Sequence, residues 1–342
     1  MKKKNTVKTG ILGVTGFTGE KLVELILKHP LVKITYLTAR VKNPIPYAKL
    51  FPKFKGRTDL FCEALDFKKA LKIADIFFLA LPHTVSLKIV PYLFKEGKKV
   101  IDLSADYRLK DPEVYEKYYK AVHGDKKNLK TAVYGLAEFL KTEIKKSRLV
   151  ANPGCYPVSV ILPLTPLLKE NLVDSKIIVD AKSSITGAGR KPLIDYHYTN
   201  ISNNLWAYKP FIHQHVPEIT TVLKSLSGKK IDFSFVPHAV GVEGGIYSTI
   251  YVYFKKKMDE GKLFKVYDKY YANTPFVRVR ENLPKLKDVV GTNFCDIGFS
   301  LDAGGKKGVI CSCIDNLIKG AAGNAIQNMN LMCGFKETSG LL

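Results

Sequence analysis

The sequence predicts an α/β protein in which a doubly wound parallel sheet is followed by a second, α+β domain. Its 342 residues are enough for about two domains of ordinary size. Up to about residue 150, short apolar runs alternate with helical patterns, and this alternation is typical of parallel strands joined by helices. Beyond Pro157 the apolar runs become longer and fewer helices separate them, which indicates a mostly antiparallel sheet.

Four apolar runs in the first part predict the strands of the parallel sheet. A helix is expected near 19–28, where Pro30 ends it, and a second helix over VSLKIVPYLFKEG. The third run is almost wholly apolar, as in strands that are covered on both faces. The four runs are VKTGILGV, VKITYLTAR, ADIFFLAL and KKVIDLS.

The second part contains five alternating or apolar runs that predict the strands of the other sheet. After them, apolar residues recur at a helical spacing in the tail, and the small residues of 320–323 would let that helix pack very closely. The strand runs are KIIVDAKSSI, IDFSFVPHAV, GIYSTIYVYF, FVRVR and GVICSCIDN, and the tail positions are Ile318, Ala322, Ile326 and Met329.

Composition places the chain among globular proteins, with 46% hydrophobic and 25% charged residues. No apolar run reaches the roughly 18–20 residues that a membrane helix needs. Glycines interrupt the apolar part of the N-terminus, so a first strand and helix are expected there rather than a signal peptide. The six cysteines form no C-x-x-C pair, which favours free thiols in a reducing compartment, the cytoplasm.

The net charge is +23, from 54 basic and 31 acidic residues. The lysines occur as scattered doublets and not as one stripe interleaved with aromatic residues, so we expect a solvated basic surface and no nucleic-acid binding. Attraction of an anionic substrate or of an acidic partner protein stays open as an alternative.

A glycine-rich turn predicts a nucleotide site. Gly13, Gly16 and Gly19 lie between the first strand and the first helix, in a variant of the common G-x-G-x-x-G pattern. Glycines there let backbone N–H groups approach a pyrophosphate at a helix N-terminus. The second strand ends with Thr38 and Arg40 and with no acidic residue, so a 2′-phosphate can pair with the arginine and NADP(H) is favoured over NAD(H).

Cys155 lies in the stiff turn ANPGCYP, ahead of a segment that is at least partly helical. A helix N-terminus lowers the pKa of a thiol and makes it a nucleophile. The other cysteines, except Cys295, which no pattern assigns, lie in apolar patterns and are predicted to be core residues.

A nucleophilic cysteine needs a base, and HQHVPEI supplies His213 and His215. In extended backbone the two imidazoles would face the same way. We interpret them as acid–base or substrate-binding groups. A metal pair and a plain structural role are the alternatives, and since no further ligand cluster joins them we predict no metal.

Two further loops carry residues suited to anions. SSITGAGRKP combines Gly187 with Arg190, and DLSADYRL places Ser104 and Arg108 after a strand of the parallel sheet, where ligands of open α/β sheets bind. Each of these residues has a turn or ion-pair role as its alternative.

Taken together and in order, these motifs resemble the N-acetyl-γ-glutamyl-phosphate reductase family, which is related to aspartate-semialdehyde and glyceraldehyde-phosphate dehydrogenases. NPGCYP and the tail KGAAGNAIQNMNLM are specific to it, whereas the glycine loop is widespread. The resemblance implies a Rossmann domain over 1–154, completed by 315–342. It also implies a catalytic and oligomerisation domain of glyceraldehyde-phosphate-dehydrogenase type over 155–314.

The resemblance further implies an enzyme of arginine biosynthesis that reduces an acyl phosphate with NADPH and releases inorganic phosphate. Cys155 would form a thioester, His213 or His215 would move protons, and the chain would be a homodimer or homotetramer. The expected cofactor-binding residues are Gly13, Thr15, Gly16, Phe17, Thr18, Gly19, Thr38, Arg40, Pro82, Gly187 and Asn316, and the expected substrate-binding residues are Ser104, Arg108, Asn152, Lys182 and Arg190.

One position departs from the family pattern. Where relatives often have an arginine, the stretch PHAVGVEGGI has Gly244, so Arg108, Lys182 or Arg190 would have to supply that charge. A related enzyme of lysine biosynthesis reduces an aminoadipyl phosphate on an acidic carrier protein, and this is the alternative substrate. A cysteine hydrolase and a basic nucleic-acid-binding protein are the alternatives from other classes.

Overall fold

The structure is a computed structural model that describes residues 6–342, so the first five residues of the predicted domain 1–154 lie outside it. The chain separates into two units. The first unit runs to Pro153 and includes Ala321–Leu342, and the second is Gly154–Gly320. Residues 315–320, which we expected in the first domain, therefore lie in the second unit.

The first unit contains an eight-stranded sheet within the described residues, in the order β3-β4-β2-β1-β5-β6-β8-β7. All neighbouring strands run parallel except β3 and β4. The chain proceeds from β1 to β2 on one side and resumes at β5 on the other, so the crevice that binds ligands in such sheets lies at the carboxyl ends of β1 and β5. The strands are β1 Val7–Leu12, β2 Val32–Thr38, β3 Ile45–Pro46, β4 Phe61–Glu63, β5 Ile76–Leu79, β6 Lys99–Asp102, β7 Val133–Tyr134 and β8 Leu149–Ala151.

Helices cover both faces of this sheet, with a buried apolar cluster on each face. The last helix, α12, contributes Ile326 and Met329 to one cluster, which accounts for the helical spacing of the tail. The helices of the first unit are α1 Phe17–Ile26, α2 Tyr47–Leu50, α3 Phe67–Ile73, α4 Ser86–Lys95, α5 Pro112–Tyr119, α6 Lys126–Thr131, α7 Ala137–Lys146 and α12 Gly323–Met332, with a 3₁₀ turn at Pro52–Phe54.

The second unit contains a seven-stranded mixed sheet in the described chain, in the order β10-β11-β9-β12-β15-β14-β13. The pairs β11–β9 and β13–β14 are parallel and the others antiparallel, so the sheet is mostly antiparallel as predicted. Its strands are β9 Lys176–Ser184, β10 Leu205–Ala207, β11 Asp232–Val240, β12 Ile246–Tyr253, β13 Val277–Val279, β14 Cys295–Leu301 and β15 Lys307–Ile314.

Helices pack on one face of this second sheet. The buried residues Val179, Ala181 and Ile250 alternate along β9 and β12 with less buried ones, which places the two sets on opposite faces. The helices are α8 Cys155–Lys169, α9 Tyr198–Ile201, α10 His215–Ser227 and α11 Glu260–Tyr271, with 3₁₀ turns at Ile185–Ala188, Ile194–Tyr196 and Leu286–Asp288 and a π turn at Ile318–Ala322.

The predicted architecture is confirmed, and every predicted strand forms. The prediction did not include the strands β3, β4, β7, β8, β10 and β14 or the helices α2, α3, α5, α6, α7, α9 and α11. No helix within residues 6–342 combines the length and apolar character required to cross a bilayer.

Candidate active site

Cys155 is the first residue of α8, directly after the N-cap residue Gly154. Cys155 forms no disulfide, and the residue is half-buried. The N-cap has no side-chain hydrogen bond, so the positive end of the helix dipole acts on the sulfur and favours the thiolate. Local sequence sets this position, because Pro153 and Gly154 keep the chain extended until the helix begins.

Gly320 packs against this cysteine in the same unit. A Cβ on Gly320 would lie 2.8 Å from the Cys155 Cβ and 3.2 Å from its Cα, closer than side chains approach one another. The small residues of the tail therefore allow the chain to pass directly beside the nucleophile.

Glu218 fixes the same end of α8 and was missed by the sequence reasoning. Its carboxylate is buried at 1% exposure and accepts a hydrogen bond from the Gly154 N–H at 2.8 Å. The bond ties the start of α8 to the first turn of α10. Only its place in HQHVPEI, three residues after His215, could have drawn attention to it.

His213 and His215 lie together, with ring centroids 4.8 Å apart. Both rings contact Tyr156, the neighbour of Cys155, at 5.5 and 6.0 Å, so the histidines lie beside the nucleophile's helix. The backbone between them is helical at Gln214 rather than extended as we assumed, and the His215 N–H donates to Nδ1 of His213 at 3.1 Å.

The surroundings of the two imidazoles differ. His213 is buried at 3% exposure, whereas His215 is half-buried at the start of α10. Burial lowers the pKa of His213 to about 2, and the nearby positive charges of His215 and Lys209 lower it further, while Glu218 opposes the shift. His213 is therefore neutral at physiological pH.

Two tyrosines complete this cluster, and no sequence pattern pointed to them. The hydroxyls of Tyr156 and Tyr208 are 3.1 Å apart, and the Tyr156 hydroxyl donates to the His238 carbonyl at 3.3 Å. Burial raises the pKa of Tyr208, the hydrogen bond to Tyr156 opposes the shift, and the negative charge of Cys155 raises the pKa further. Burial raises the pKa of Tyr156 as well, so both phenols stay protonated.

The glycine loop of the first unit has the geometry of a phosphate cradle. Gly13 has a φ of 90°, and a Cβ on it would lie 2.2 Å from the Ala80 carbonyl oxygen. A Cβ on Gly19 would lie 2.2 Å from the Gly13 carbonyl oxygen, so α1 can pack on the loop only with glycine there. Gly16 is the N-cap of α1 and Thr15 is exposed, which leaves the first turn of the helix, with Phe17 and Thr18, facing the crevice.

The end of β2 also fits a dinucleotide. Thr38 is buried, and its carbonyl accepts the N–H groups of Gly13 and Val14 at 3.0 and 3.1 Å, so it supports the loop through its backbone. Arg40 is exposed and makes no hydrogen bond or ion pair with residues 6–342, so its guanidinium can receive a phosphate. Pro82 is exposed after β5, on the neighbouring strand.

The predicted substrate residues of the first unit form hydrogen bonds with other residues of that unit. The Ser104 hydroxyl donates to Asp102 at 2.8 Å, and Arg108 donates to the carbonyls of Asn152 and Leu103, both at 2.7 Å. The Asn152 side chain is buried and accepts from the amides of Asn324 and Asn328.

The remaining predicted residues lie in the second unit, and the structure separates them. Asn316 accepts the Gly245 N–H at 2.7 Å and donates to Thr186 at 2.9 Å, beside Gly187. Arg190 follows in an exposed segment. Lys182 alternates along β9 with Ser183, whose side chain hydrogen-bonds to Tyr156, so Lys182 points to the opposite face, where it pairs with Asp180 at 2.9 Å. The structure therefore does not bring Lys182 together with Cys155.

No group of three or more histidine, cysteine, aspartate or glutamate residues is arranged to hold a metal within the described residues.

Comparison with known proteins connects these features to a family. Residues 8–147 match the semialdehyde dehydrogenase NAD binding domain, and residues 155–316 match the semialdehyde dehydrogenase dimerisation domain.

Solved structures share the fold. Aspartate semialdehyde dehydrogenase II of Vibrio cholerae superimposes with a TM-score of 0.73 at 15% identity, over 96% of this chain and 99% of that one. The aspartate semialdehyde dehydrogenase of Candida albicans, solved with NADP, gives 0.67 at 14% identity over 96% and 99%.

Curated relatives are much more similar in sequence. The N-acetyl-γ-glutamyl-phosphate reductase of Geobacter metallireducens is 44% identical over 339 residues, covering 98% of both chains. The enzyme of the same name from Methanocaldococcus jannaschii is 44% identical over 338 residues, covering 98% of this chain and 97% of the relative. The chain therefore belongs to the N-acetyl-γ-glutamyl-phosphate reductase family of the semialdehyde dehydrogenases.

Proposed function

We propose that this chain reduces N-acetyl-γ-glutamyl phosphate to N-acetylglutamate 5-semialdehyde with NADPH and releases phosphate, as a step of arginine biosynthesis. The observation that carries the proposal is Cys155 at the start of α8, with two histidines in ring contact with the adjacent Tyr156. The relatives' shared name favours this substrate over the carrier-bound aminoadipyl phosphate.

Cys155 acts as the nucleophile. Its sulfur attacks the acyl carbon, the bond between that carbon and the phosphate oxygen breaks, and phosphate leaves with the electron pair. The product of this step is a thioester on Cys155. The helix N-terminus favours the attacking thiolate.

His215 moves the proton. It takes the proton of the Cys155 thiol and gives it to the departing phosphate, which needs one at neutral pH. His213 does not compete for this role, because a pKa of about 2 makes its imidazole too weak a base to take a proton at neutral pH. Its Nδ1 accepts the backbone N–H of His215 and so fixes the backbone of the residue that carries the working imidazole.

NADP(H), when bound, supplies the hydride that reduces the thioester carbonyl. Gly13, Gly16 and the first turn of α1 would hold the pyrophosphate, and Arg40 would pair with the 2′-phosphate. After reduction the bond from carbon to the Cys155 sulfur breaks, the sulfur keeps the pair, and the aldehyde leaves.

The residues that bind the glutamyl part are also a proposal. Gly244 lies at the position where relatives often carry an arginine, and of the three cations that could replace it Arg108 is engaged with backbone carbonyls and Lys182 faces away. Arg108, Lys182 and Arg190 stay our three candidates for the cation that binds the substrate carboxylate or phosphate, and Lys182 fits least because it faces away from Cys155.

The experiment runs the reaction in reverse, with N-acetylglutamate semialdehyde, phosphate and NADP, and follows NADPH absorbance. Cys155→Ser should lose all measurable turnover but bind NADPH with unchanged affinity, because the hydroxyl is a far weaker nucleophile than the thiolate. Cys333→Ser, at the other half-buried cysteine, is the matched control and should keep full activity. Turnover by Cys155→Ser would remove this sulfur from the mechanism.

Arg40→Ala tests the choice of cofactor. Loss of a charge-assisted phosphate contact should weaken NADPH binding by about 10-fold to 100-fold and leave NADH binding within about twofold. Lys42→Ala, which removes a neighbouring exposed cation, is the control for general charge and should alter neither. Equal losses for the two dinucleotides would show that Arg40 does not read the 2′-phosphate.

We further propose that the enzyme works in the cytoplasm as a homodimer or homotetramer. None of the six cysteines forms a disulfide, which suits a reducing compartment. The match of residues 155–316 to a dimerisation domain supports association through the second unit, and the sheet face opposite α8 carries Tyr251 and Tyr253 at 40% and 41% exposure.

A further inference from the structure

A strained residue lies in the loop that follows β5, at the carboxyl edge of the first unit's sheet. Thr84 has a φ of 72°, in the left-handed region. A β-branched residue rarely adopts this conformation, and it persists only where its surroundings enforce it. Strain of this kind is concentrated at functional sites, so the groups that hold Thr84 in this conformation indicate what the loop does.

Asp106 holds it. Oδ1 of Asp106 accepts hydrogen bonds from the Thr84 N–H and from the Tyr115 hydroxyl, each at 2.8 Å. The side chain is fully buried at 0% exposure, and its Oδ2 has no hydrogen-bond partner among residues 6–342. Since a buried acceptor without a partner costs stability, retaining this carboxylate indicates a task other than stabilising the fold.

Two further hydrogen bonds connect the same part of the chain to β6 and the loop after it. The Ala105 N–H donates to Nδ1 of His83 at 3.0 Å, and the hydroxyl of Ser86, at the start of α4, donates to Asp102, at the end of β6, at 2.7 Å. The loop after β5 is thus held on both sides of Thr84. Among these groups, the Asp106 carboxylate is the one that accepts a hydrogen bond from the strained residue, Thr84, itself.

The fastened loop is also one wall of the dinucleotide crevice. A Cβ on Gly13 would lie 2.2 Å from the Ala80 carbonyl oxygen and 3.1 Å from the Leu81 side chain, so the glycine loop and the chain leaving β5 are in direct contact. Pro82 and His83, exposed beyond that contact, face the same edge of the sheet. A shift of Thr84 therefore moves the surface against which the cofactor would lie.

We infer that Asp106 is a positioning residue for the dinucleotide: by holding Thr84 in its left-handed conformation, the carboxylate keeps the Pro82–His83 wall in the shape that binds NADPH. The inference rests on the proposed function, because Pro82 belongs to the expected cofactor site. Asp106 touches neither cofactor nor substrate and acts through Thr84.

The test measures the Kd of NADPH by fluorescence titration of the full-length protein. Asp106→Ala should raise this Kd by about tenfold or more, the effect expected for a lost hydrogen bond to a charged group. Asp106→Asn should stay within about threefold of the wild type, because the amide oxygen can accept the same N–H.

Asp125→Ala is the matched control. Asp125 is also a buried carboxylate, and it accepts the Tyr107 hydroxyl at 2.6 Å, but it has no bond to the loop after β5. Its loss should lower the melting temperature and leave the NADPH Kd within about threefold. Equal weakening by the two alanine variants would reduce Asp106 to a general stabiliser and overturn the inference, as would an unchanged Kd in Asp106→Ala.

A double-mutant cycle with Thr84→Gly isolates the strained residue. Glycine adopts the left-handed conformation without strain, so in that background Asp106→Ala should cost about threefold or less. An undiminished cost would show that Asp106 does not act through Thr84. If Asp106→Ala does not fold, Asp106→Ser takes its place, because it removes the carboxylate and leaves a small polar group in the buried position.

The same titration separates this inference from the proposed function. Failure of the wild type to bind NADPH would reject the function itself. Normal binding by the wild type, with no preference among the Asp106 variants, would reject the inference alone.

Discussion

His213 and His215 are in ring contact, yet their environments give them different chemistry. Burial lowers the pKa of His213, so the folded protein keeps that imidazole uncharged over the whole physiological range. The half-buried His215 begins a helix, and it is the one to which we assign proton transfer. The spacing of the two histidines in the sequence could not distinguish them, because it does not reveal which imidazole is buried.

The lowered pKa of His213 predicts a pH-dependent stability. Below its ordinary value of 6.5 the unfolded chain binds a proton that the folded chain, with a pKa of about 2, refuses. Stability should therefore fall as the pH drops from 6.5 to 4.5, by up to about 1.4 kcal/mol per pH unit from this group.

Denaturant unfolding at several pH values measures this effect. His213→Asn, whose side-chain oxygen can replace Nδ1 as acceptor, should flatten the dependence, whereas the exposed His197→Asn should not. An unchanged slope in His213→Asn would contradict the assignment of a neutral buried imidazole.

Cys155 could be predicted as a site residue because the proline and glycine that precede it are its neighbours in the sequence. Glu218 and Tyr208 could not be found in this way. Glu218 reaches Gly154 across 64 residues, and Tyr208 joins the cluster through a hydroxyl contact with Tyr156. Such contacts depend on how the chain folds back, and no local pattern encodes them.

At the scale of elements, periodicity predicted the strands because alternation along β9, β11 and β12 follows from one buried face. The prolines of α8 made that helix harder to predict. Pro163 and Pro166 lie inside it, and the helix nevertheless continues to Lys169, since it is buried along nearly its whole length and packing offsets the lost hydrogen bonds.

The turn at Ile318–Ala322 is an element whose shape serves the nucleophile. Gly320→Ala would place a methyl group 2.8 Å from the Cys155 Cβ, so α8 must shift at its first residue. We expect kcat to fall by about 100-fold or more, with NADPH affinity unchanged and with slower alkylation of Cys155 by iodoacetamide.

Gly124→Ala provides the comparison for that variant. At Gly124 an added methyl meets nothing within 4 Å, so activity and labelling should match the wild type. Full activity in Gly320→Ala would mean that the sulfur tolerates displacement and that the close packing has no catalytic role.

At the scale of the whole molecule, composition and element order were enough to predict two domains of different type. The position of the second boundary was not predictable to a few residues, because the tail changes unit within a continuous helical segment, between Gly320 and Ala321. The net charge of +23 alone excluded few classes of function, because the partners that a basic protein attracts depend on where its lysines lie on the surface.

We expect subunits to associate through the exposed face of the second unit's sheet. Tyr251→Lys should place a charge in a subunit interface and shift the molecule toward monomers, as measured by light scattering after gel filtration. Tyr92→Lys, at a tyrosine of the first unit that is 61% exposed, should leave the mass unchanged. An unaltered mass in Tyr251→Lys would place the interface elsewhere.

The cysteines differ in burial, and this difference affects which of them an oxidant modifies first. Burial raises the pKa of Cys62, Cys311, Cys313 and Cys333, which keeps these thiols protonated and slow to oxidise. Because peroxide oxidises thiolates, we expect it to convert Cys155, the nucleophile we propose, to a sulfenic acid before these four thiols. The protein would then remain folded but stop turning over, so oxidative stress would halt the pathway without clearing the enzyme.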